Sequence, residues 1–278
     1  RGRIYVKAKR SERLVDMTHY LLEHPFDIIS LTYFAELYQA AKSSISEDLN
    51  IIKERFVRLG IGDLETFVGA TGGVRYIPTV DSEQQHRLIA ELVEELDGSE
   101  RLLPGGFVYL SDVLGQPKWL NHIGRVIASR YMDEDVDTVM TVATSGIPIA
   151  QSVARFLNVP FTIVTRDPKV TEGSTVSVNY VSGSDHTRVE KMELAKRSLA
   201  EGSKVVVVDD FVRSGGTIEG MRALLDEFNA TLIGTTVVVE NIVGKSSVSA
   251  NYRSLIQISD VDEQQNTIQV KLGDFFDA

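Results

Sequence analysis

Apolar residues recur every three or four positions through residues 10–59 and then, farther on, gather into short unbroken runs. The two rhythms predict two kinds of structure, helices first and buried strands later. In SERLVDMTHYLLEHP, Leu14, Met17, Leu21 and Leu22 fall on one helical face and Pro25 closes the run. LTYFAELYQA predicts a second, short helix with Leu31, Phe34, Leu37 and Tyr38 apolar. In SSISEDLNIIKERFVRLG, Ile45, Leu49, Ile52 and Phe56 stand at i, i+4, i+7 and i+11, which is one helical face. Ser44 and Glu47 have capping-box spacing there, and Gly60 is the expected stop. LETFV and VRYIP then read as strands around glycines 69, 72 and 73, which favour a tight hairpin. Three helices and a hairpin describe a winged helix-turn-helix, an N-terminal domain over residues 1–78.

Pro78 and the polar stretch in YIPTVDSEQQHR mark the boundary to a second domain over residues 79–278. After a helix in SEQQHRLIAELVEEL, strands and helices alternate. VDTVMTVAT, PFTIVT, KVVVVDD and TLIGTTVVVE predict strands, and GIPIAQSVARFLN and GGTIEGMRALLDEF predict helices. VEKMELAKRSLAEG is also expected to be a helix. Strands that are apolar throughout are buried on both faces, so the fold class is α/β with a mostly parallel sheet flanked by helices. Ligands of such sheets bind at the carboxyl ends of the strands.

Composition narrows the picture. The chain has 278 residues, is 43% apolar and has no cysteine, which excludes disulfides and thiolate metal sites and fits a cytoplasmic location. No apolar run approaches the roughly 20 residues that span a bilayer, so no membrane partner is expected. The basic N-terminus does not lead into a signal-peptide core. The net charge is −10, but residues 1–78 carry 11 Lys and Arg against 10 acids, leaving about −11 on the rest. The first ten residues hold Arg1, Arg3, Lys7, Lys9 and Arg10 and no acid. A basic arm of this kind, with Arg3, Lys7 and Arg10 as its candidates, either meets DNA phosphates or is a solvated tail. Helix 3 of a winged helix enters the major groove N-terminus first, which puts Lys42, Ser43, Ser44 and Ser46 near phosphates and base edges and Arg75 on the wing. The alternative is a small helical protein-interaction domain. Glu47 and Asp48 weigh against DNA unless they face away from phosphate. The five histidines (19, 24, 86, 122 and 186) have no metal-ligand spacing, and Trp119 reads as a packing residue.

The candidate chemistry lies in VVVVDDFVRSGGTIEGM. Val205 to Val208 predict a central strand with Asp209 and Asp210 at its carboxyl end, and Arg213, Ser214, Gly215, Gly216 and Thr217 form the loop that opens the next helix. Converging backbone N–H groups and the helix dipole make that loop a monophosphate cradle. The carboxylates repel phosphate, but they can accept hydrogen bonds from vicinal hydroxyls, so the pair of features suits a ribose 5-phosphate. This stretch resembles the signature of type I phosphoribosyltransferases, whose ligand is phosphoribosyl pyrophosphate (PRPP). The resemblance implies that Asp209 and Asp210 hold the ribose hydroxyls and that the 213–217 loop holds the 5-phosphate. It also implies that Thr144, Ser145 and Gly146 in TVATSGIPIA bind pyrophosphate, where an ordinary strand-to-helix turn is the alternative. TRDPKVTEGSTVSVNYVSGS is similar to the family's mobile flap, with Arg166 and Lys169 as cations; an exposed Ser- and Thr-rich hairpin is the alternative.

Taken end to end, the chain resembles the purine operon repressors of Gram-positive bacteria. RSERLVDMTHYLLEHP, AKSSISEDLNIIK, ERLLPGGFVYLSDVLG and KVTEGSTVSVNYVSGS carry that likeness. It implies a homodimer that binds double-stranded operator DNA at purine biosynthesis and salvage genes, with PRPP, with or without Mg2+ carried on it, as the effector that weakens DNA binding. Some relatives activate instead. Ser145 stands where a Lys is expected, and Arg166 and Arg213 stand where Lys is common, which keeps charge but changes geometry. Three functions remain in view. The favoured one is a non-catalytic regulator that needs no cofactor and holds no resident metal. A second is an active purine phosphoribosyltransferase, against which Arg213 argues only in part: hypoxanthine-type members carry a general acid there, adenine-type members do not. A third is a regulator whose main ligand is a guanine nucleotide or alarmone, its purine stacked by Phe107 and Phe211 unless both are core aromatics.

Overall fold

The computed structural model describes residues 8–69, 72–98, 100–104, 107–166, 173–182, 188–213, 215–243 and 252–277. The chain divides into two compact units, Arg1–Asp81 and Ser82–Ala278.

In the first unit α1 (Arg10–Glu23) opens where the Glu12 carboxylate accepts the Lys9 N–H at 2.7 Å. After β1 (Ile29–Ser30), Ser30 caps α2 (Leu31–Tyr38) by accepting the Tyr33 N–H at 3.1 Å. Gln39 turns through the left-handed region and delivers the chain directly into α3 (Lys42–Leu59). The N-cap of α3 is therefore Ala41, and the Ser44–Glu47 spacing expected to start the helix lies inside it. Gly60, at φ 63°, ends α3 as expected. β2 (Asp63–Phe67) and β3 (Gly73–Ile77) form the antiparallel wing, and β1 pairs with the free edge of β3. Met17, Leu21, Phe34, Ile45, Leu49, Ile52, Phe56 and Leu64 fill the core between them. Each such side chain contributes roughly 1.5–3 kcal/mol of burial. Leu22 departs from expectation: it is 40% exposed, because it lies about 100° round the helix from Leu21.

The second unit begins with α4 (Ser82–Leu96), a short hairpin of β4 (Leu102–Leu103) and β5 (Phe107–Val108), and the helices α5 (Ser111–Leu114) and α6 (Pro117–Ser129). Then follow β6 (Thr138–Val142), α7 (Gly146–Leu157), β7 (Phe161–Val164), β8 (Thr175–Ser182), β9 (Arg188–Ala195), β10 (Lys204–Val212), α8 (Gly216–Asp226), β11 (Thr231–Asn241), β12 (Arg253–Asp262) and β13 (Thr267–Leu272). The main sheet has the order β13-β12-β11-β10-β6-β7, parallel throughout except for β13. β10 lies between β11 and β6. Its valines alternate between two cores: Val206 and Val208 pack in the cluster that holds α4, α6 and α7 residues, Val205 and Val207 in the one that holds α8 residues. That two-sided burial is why the strand reads as an unbroken apolar run.

Residues 189–202 are not a helix. The segment forms β9 as far as Ala195 and then turns, and β9 pairs antiparallel with β8 along its whole length. Val189, Met192, Ala195 and Leu199 imitate a helical stripe, but the cross-strand partners and burial of Met192 and Leu194 decide for strand. A bridge between Thr165 and Glu193 fastens this hairpin beside the end of β7.

Candidate functional site at the carboxyl end of the parallel sheet

β10 carries Asp209 and Asp210 out of the core at its carboxyl end. Asp209 is only 6% exposed, and its Oδ1 accepts the Asp210 N–H at 3.0 Å. Burial first, and then the neighbouring Asp210 charge, push the Asp209 carboxyl well above the usual carboxylate range. Burial raises half-buried Asp210 as well, opposed in part by its polar neighbours, Asp209 first among them. Gly146 lies against the pair: a Cβ there would overlap the Thr141 hydroxyl and stand 3.1 Å from Asp209 Oδ1. Only glycine lets the loop come this close. The peptide between Ala143 and Thr144 is cis, and Thr144 and Ser145 are exposed.

Beyond the acidic pair the chain turns at Gly215, whose φ of 81° suits glycine, and α8 starts at Gly216 without a side-chain cap. The N-cap glycine offers no capping side chain to the N–H groups of the first turn, and Thr217 is half-buried beside them. Arg213 is exposed. Phe211 packs partly on the core and faces exposed Phe107 across 6.0 Å between ring centroids, tilted by 47°. Arg166 follows β7, one strand out from β6; burial opposes its charge, but the Tyr180 hydroxyl, Glu190 and Asp209 outweigh this and raise its pKa. Lys169 and Ser214 lie outside the described residues. Sequence reasoning missed Thr141, Tyr180 and Glu190. The first is hidden in a buried strand, and Glu190 lies on a strand expected to be a helix.

In the first unit Lys42, Ser43 and Ser46 are exposed at the start of α3 and Ser44 is half-buried. Asp48 is fully buried: Arg10 Nε reaches its Oδ1 at 2.8 Å, and Arg13 Nε and Nη2 reach its Oδ2 at 3.0 and 2.7 Å. Asp48 therefore turns away from the exposed face of α3, while Glu47 stays exposed 3.7 Å from Arg10 Nη2. Arg10 is thus shared with this internal pair. Arg75 is likewise paired, with Glu65 across the wing at 2.5 and 2.9 Å, and its guanidinium lies over Phe67. Arg3 and Lys7 lie outside the described residues. Among the described residues no three His, Cys, Asp or Glu side chains gather as a metal site, and no helix is long and apolar enough to cross a membrane.

Residues 9–78 match the family described as "Bacterial purine repressor, N-terminal", and residues 110–273 match the phosphoribosyl transferase domain family. Fold and site together define a winged-helix domain joined to a phosphoribosyltransferase-type domain. The chain is 50% identical to the "Purine biosynthesis transcriptional repressor PurR" of Bacillus subtilis over 97% of its own length and 94% of the relative's. It is 49% identical to the "Purine biosynthesis transcriptional activator PurR" of Lactococcus lactis subsp. lactis, over 96% of this chain and 98% of that one. The chain belongs to the bacterial purine repressor family, the transcriptional regulators of purine biosynthesis. The phosphoribosyltransferase fold is shared with enzymes: the crystal structure of adenine phosphoribosyltransferase from Thermoanaerobacter pseudethanolicus superposes with a TM-score of 0.52 at 22% identity, covering 60% of this chain and 98% of that one.

Proposed function

We propose that this protein binds operator DNA through its winged helix and senses PRPP at the carboxyl end of the parallel sheet. One observation carries the reading: an acidic pair, a glycine-opened loop and an uncapped helix N-terminus converge there. Asp209 and Asp210 hold the two ribose hydroxyls as hydrogen-bond acceptors. The 213–217 loop takes the 5-phosphate on backbone N–H groups. Thr144, Ser145, Gly146 and Arg166 line the pyrophosphate side. Mg2+, where present, arrives on the ligand, and no resident cofactor is required. The DNA contacts of this reading come from Lys42, Ser43 and Ser46 on α3 and from the basic arm, in a cytoplasmic homodimer. Arg10 and Arg75 contribute less than their charge suggests, since each already has a carboxylate partner.

The reading is of a regulator without transferase activity, because relatives matched over almost the whole chain are named as regulators. Whether it represses or activates is not inherited from relatives of both signs. A gel shift with operator DNA tests the sensor. PRPP is expected to release the wild-type protein, and Asp210→Ala is expected to bind DNA normally while needing at least about tenfold more PRPP, the loss of one or two charge-assisted hydrogen bonds. An unchanged PRPP response in Asp210→Ala removes the acidic pair from the site. A parallel assay for purine turnover separates regulator from enzyme. The Phe107–Phe211 pair favours one second ligand class, a guanine nucleotide or alarmone whose purine ring packs on these aromatics and competes with PRPP.

A further inference from the structure

The loop at residues 144–146 offers a hydroxyl pair and a glycine but no cation. A diphosphate bound there needs positive charge from elsewhere. The register of the sheet supplies it: Val142 pairs with Val164, and the Ala143 N–H donates to the Val164 carbonyl at 2.9 Å, so Thr144 and Arg166 leave neighbouring strands at the same level.

Arg166 is not left to wander. Its Nε donates to the Tyr180 hydroxyl at 3.0 Å and lies 3.3 Å from Glu190 Oε2. The Tyr180 hydroxyl in turn donates to the same carboxylate oxygen at 2.6 Å. Tyr180 and Glu190 are directly opposed partners on β8 and β9, so one face of the hairpin presents both. The hairpin is held in its turn by α8. At Gly220 an added Cβ would stand 2.7 Å from Met192 Cε and 2.8 Å from Tyr180 Cγ, so the Tyr180 ring lies directly on the helix that the phosphate loop opens. All of these contacts use Nε. Among the described residues neither Nη nitrogen of Arg166 makes a hydrogen bond.

We infer that Tyr180 and Glu190 are positioning residues which grip Arg166 by Nε and present its two-nitrogen edge to the diphosphate of a ligand seated at Asp209 and Asp210. A guanidinium offers two donors in a fixed fork, and a partner on Nε sets the plane of that fork without consuming it. The grip fixes which ligand chemistry gains. A sugar phosphate without a diphosphate does not reach Arg166, so its affinity is independent of the hairpin. The inference rests on the PRPP reading above.

The test measures calorimetric affinities of the full chain for PRPP and for ribose 5-phosphate, in the wild type, Tyr180→Phe, Glu190→Gln and Arg166→Ala. Tyr180→Phe keeps the ring on Gly220 and removes only the hydroxyl. Both positioning variants are expected to weaken PRPP about 5- to 10-fold and Arg166→Ala by more, the loss of one charge-assisted hydrogen bond or of two. Ribose 5-phosphate affinity is expected to stay within about twofold in Tyr180→Phe and Glu190→Gln, which also reports that these two variants are folded. PRPP affinity unchanged in Tyr180→Phe and Glu190→Gln, or both ligands weakened alike, overturns the positioning role and leaves the acidic pair as the ligand site. A wild-type protein that binds neither ligand overturns the PRPP reading, and this inference with it.

Discussion

Asp209 shows how a binding residue burdens the fold that carries it. Burial and the Asp210 charge hold its carboxyl protonated to a higher pH in the folded chain than in the unfolded one. Below the unfolded value of about 3.9 both states carry the proton and stability is unaffected. As pH rises past that value the unfolded chain loses the proton first, so stability falls by up to about 1.4 kcal/mol per pH unit until the folded carboxyl ionises too. Asp209→Asn keeps the shape and removes the titration. Urea denaturation is expected to show the stability of the variant relative to the wild type rising as pH increases above about 4. A wild type that gains stability relative to the variant with rising pH would contradict this environment for Asp209. The burial was not legible in sequence: DD after VVVV locates the pair at a strand end, but how far Gly146 and its loop close over it depends on the neighbouring strand.

At the scale of elements, the contact between α8 and the β8–β9 hairpin is sensitive to a single methyl group. Gly220→Ala drives a Cβ into Tyr180 and Met192, and both belong to the core on that side of the sheet. The expected outcome is a loss of about 1–3 kcal/mol, read from the urea midpoint, as for other overpacked cores. Elements with strong local signals were legible: the stripes of α1 and α3, the valine run of β10, and the Pro25 and Gly60 stops. β9 was not, because its apolar spacing serves a helix as well as a strand and its partner β8 decides. The two-residue strands β1, β4 and β5 are too short to carry a period at all. β12 and the antiparallel β13, which complete the sheet, were not read either, and nothing in the expected alternation of strand and helix calls for them.

For the whole molecule, charge is divided as function would require: residues 1–78 are near neutral with a basic start, and the rest carries about −11. The acidic bulk repels a polyanion, so DNA affinity depends on a few unpaired cations. Lys42, exposed at the head of α3, is the candidate on the reading proposed above. Lys42→Ala is expected to lower operator affinity and to reduce the slope of log affinity against log salt by about 1, roughly one phosphate contact. Fluorescence anisotropy across a salt series reads both; an unchanged slope would take the head of α3 off the DNA backbone. Each unit's architecture followed from the switch of hydrophobic rhythm between them.

Asp48 adds a mechanical consequence. Two arginines at the root of α1 are bolted to a carboxylate on the underside of α3. That bond ties the first turn of α1 to α3. On the reading proposed above, in which the basic N-terminal residues and α3 both meet DNA, this bond makes the root of the one move with the other, so that neither slides past its neighbour on leaving the duplex.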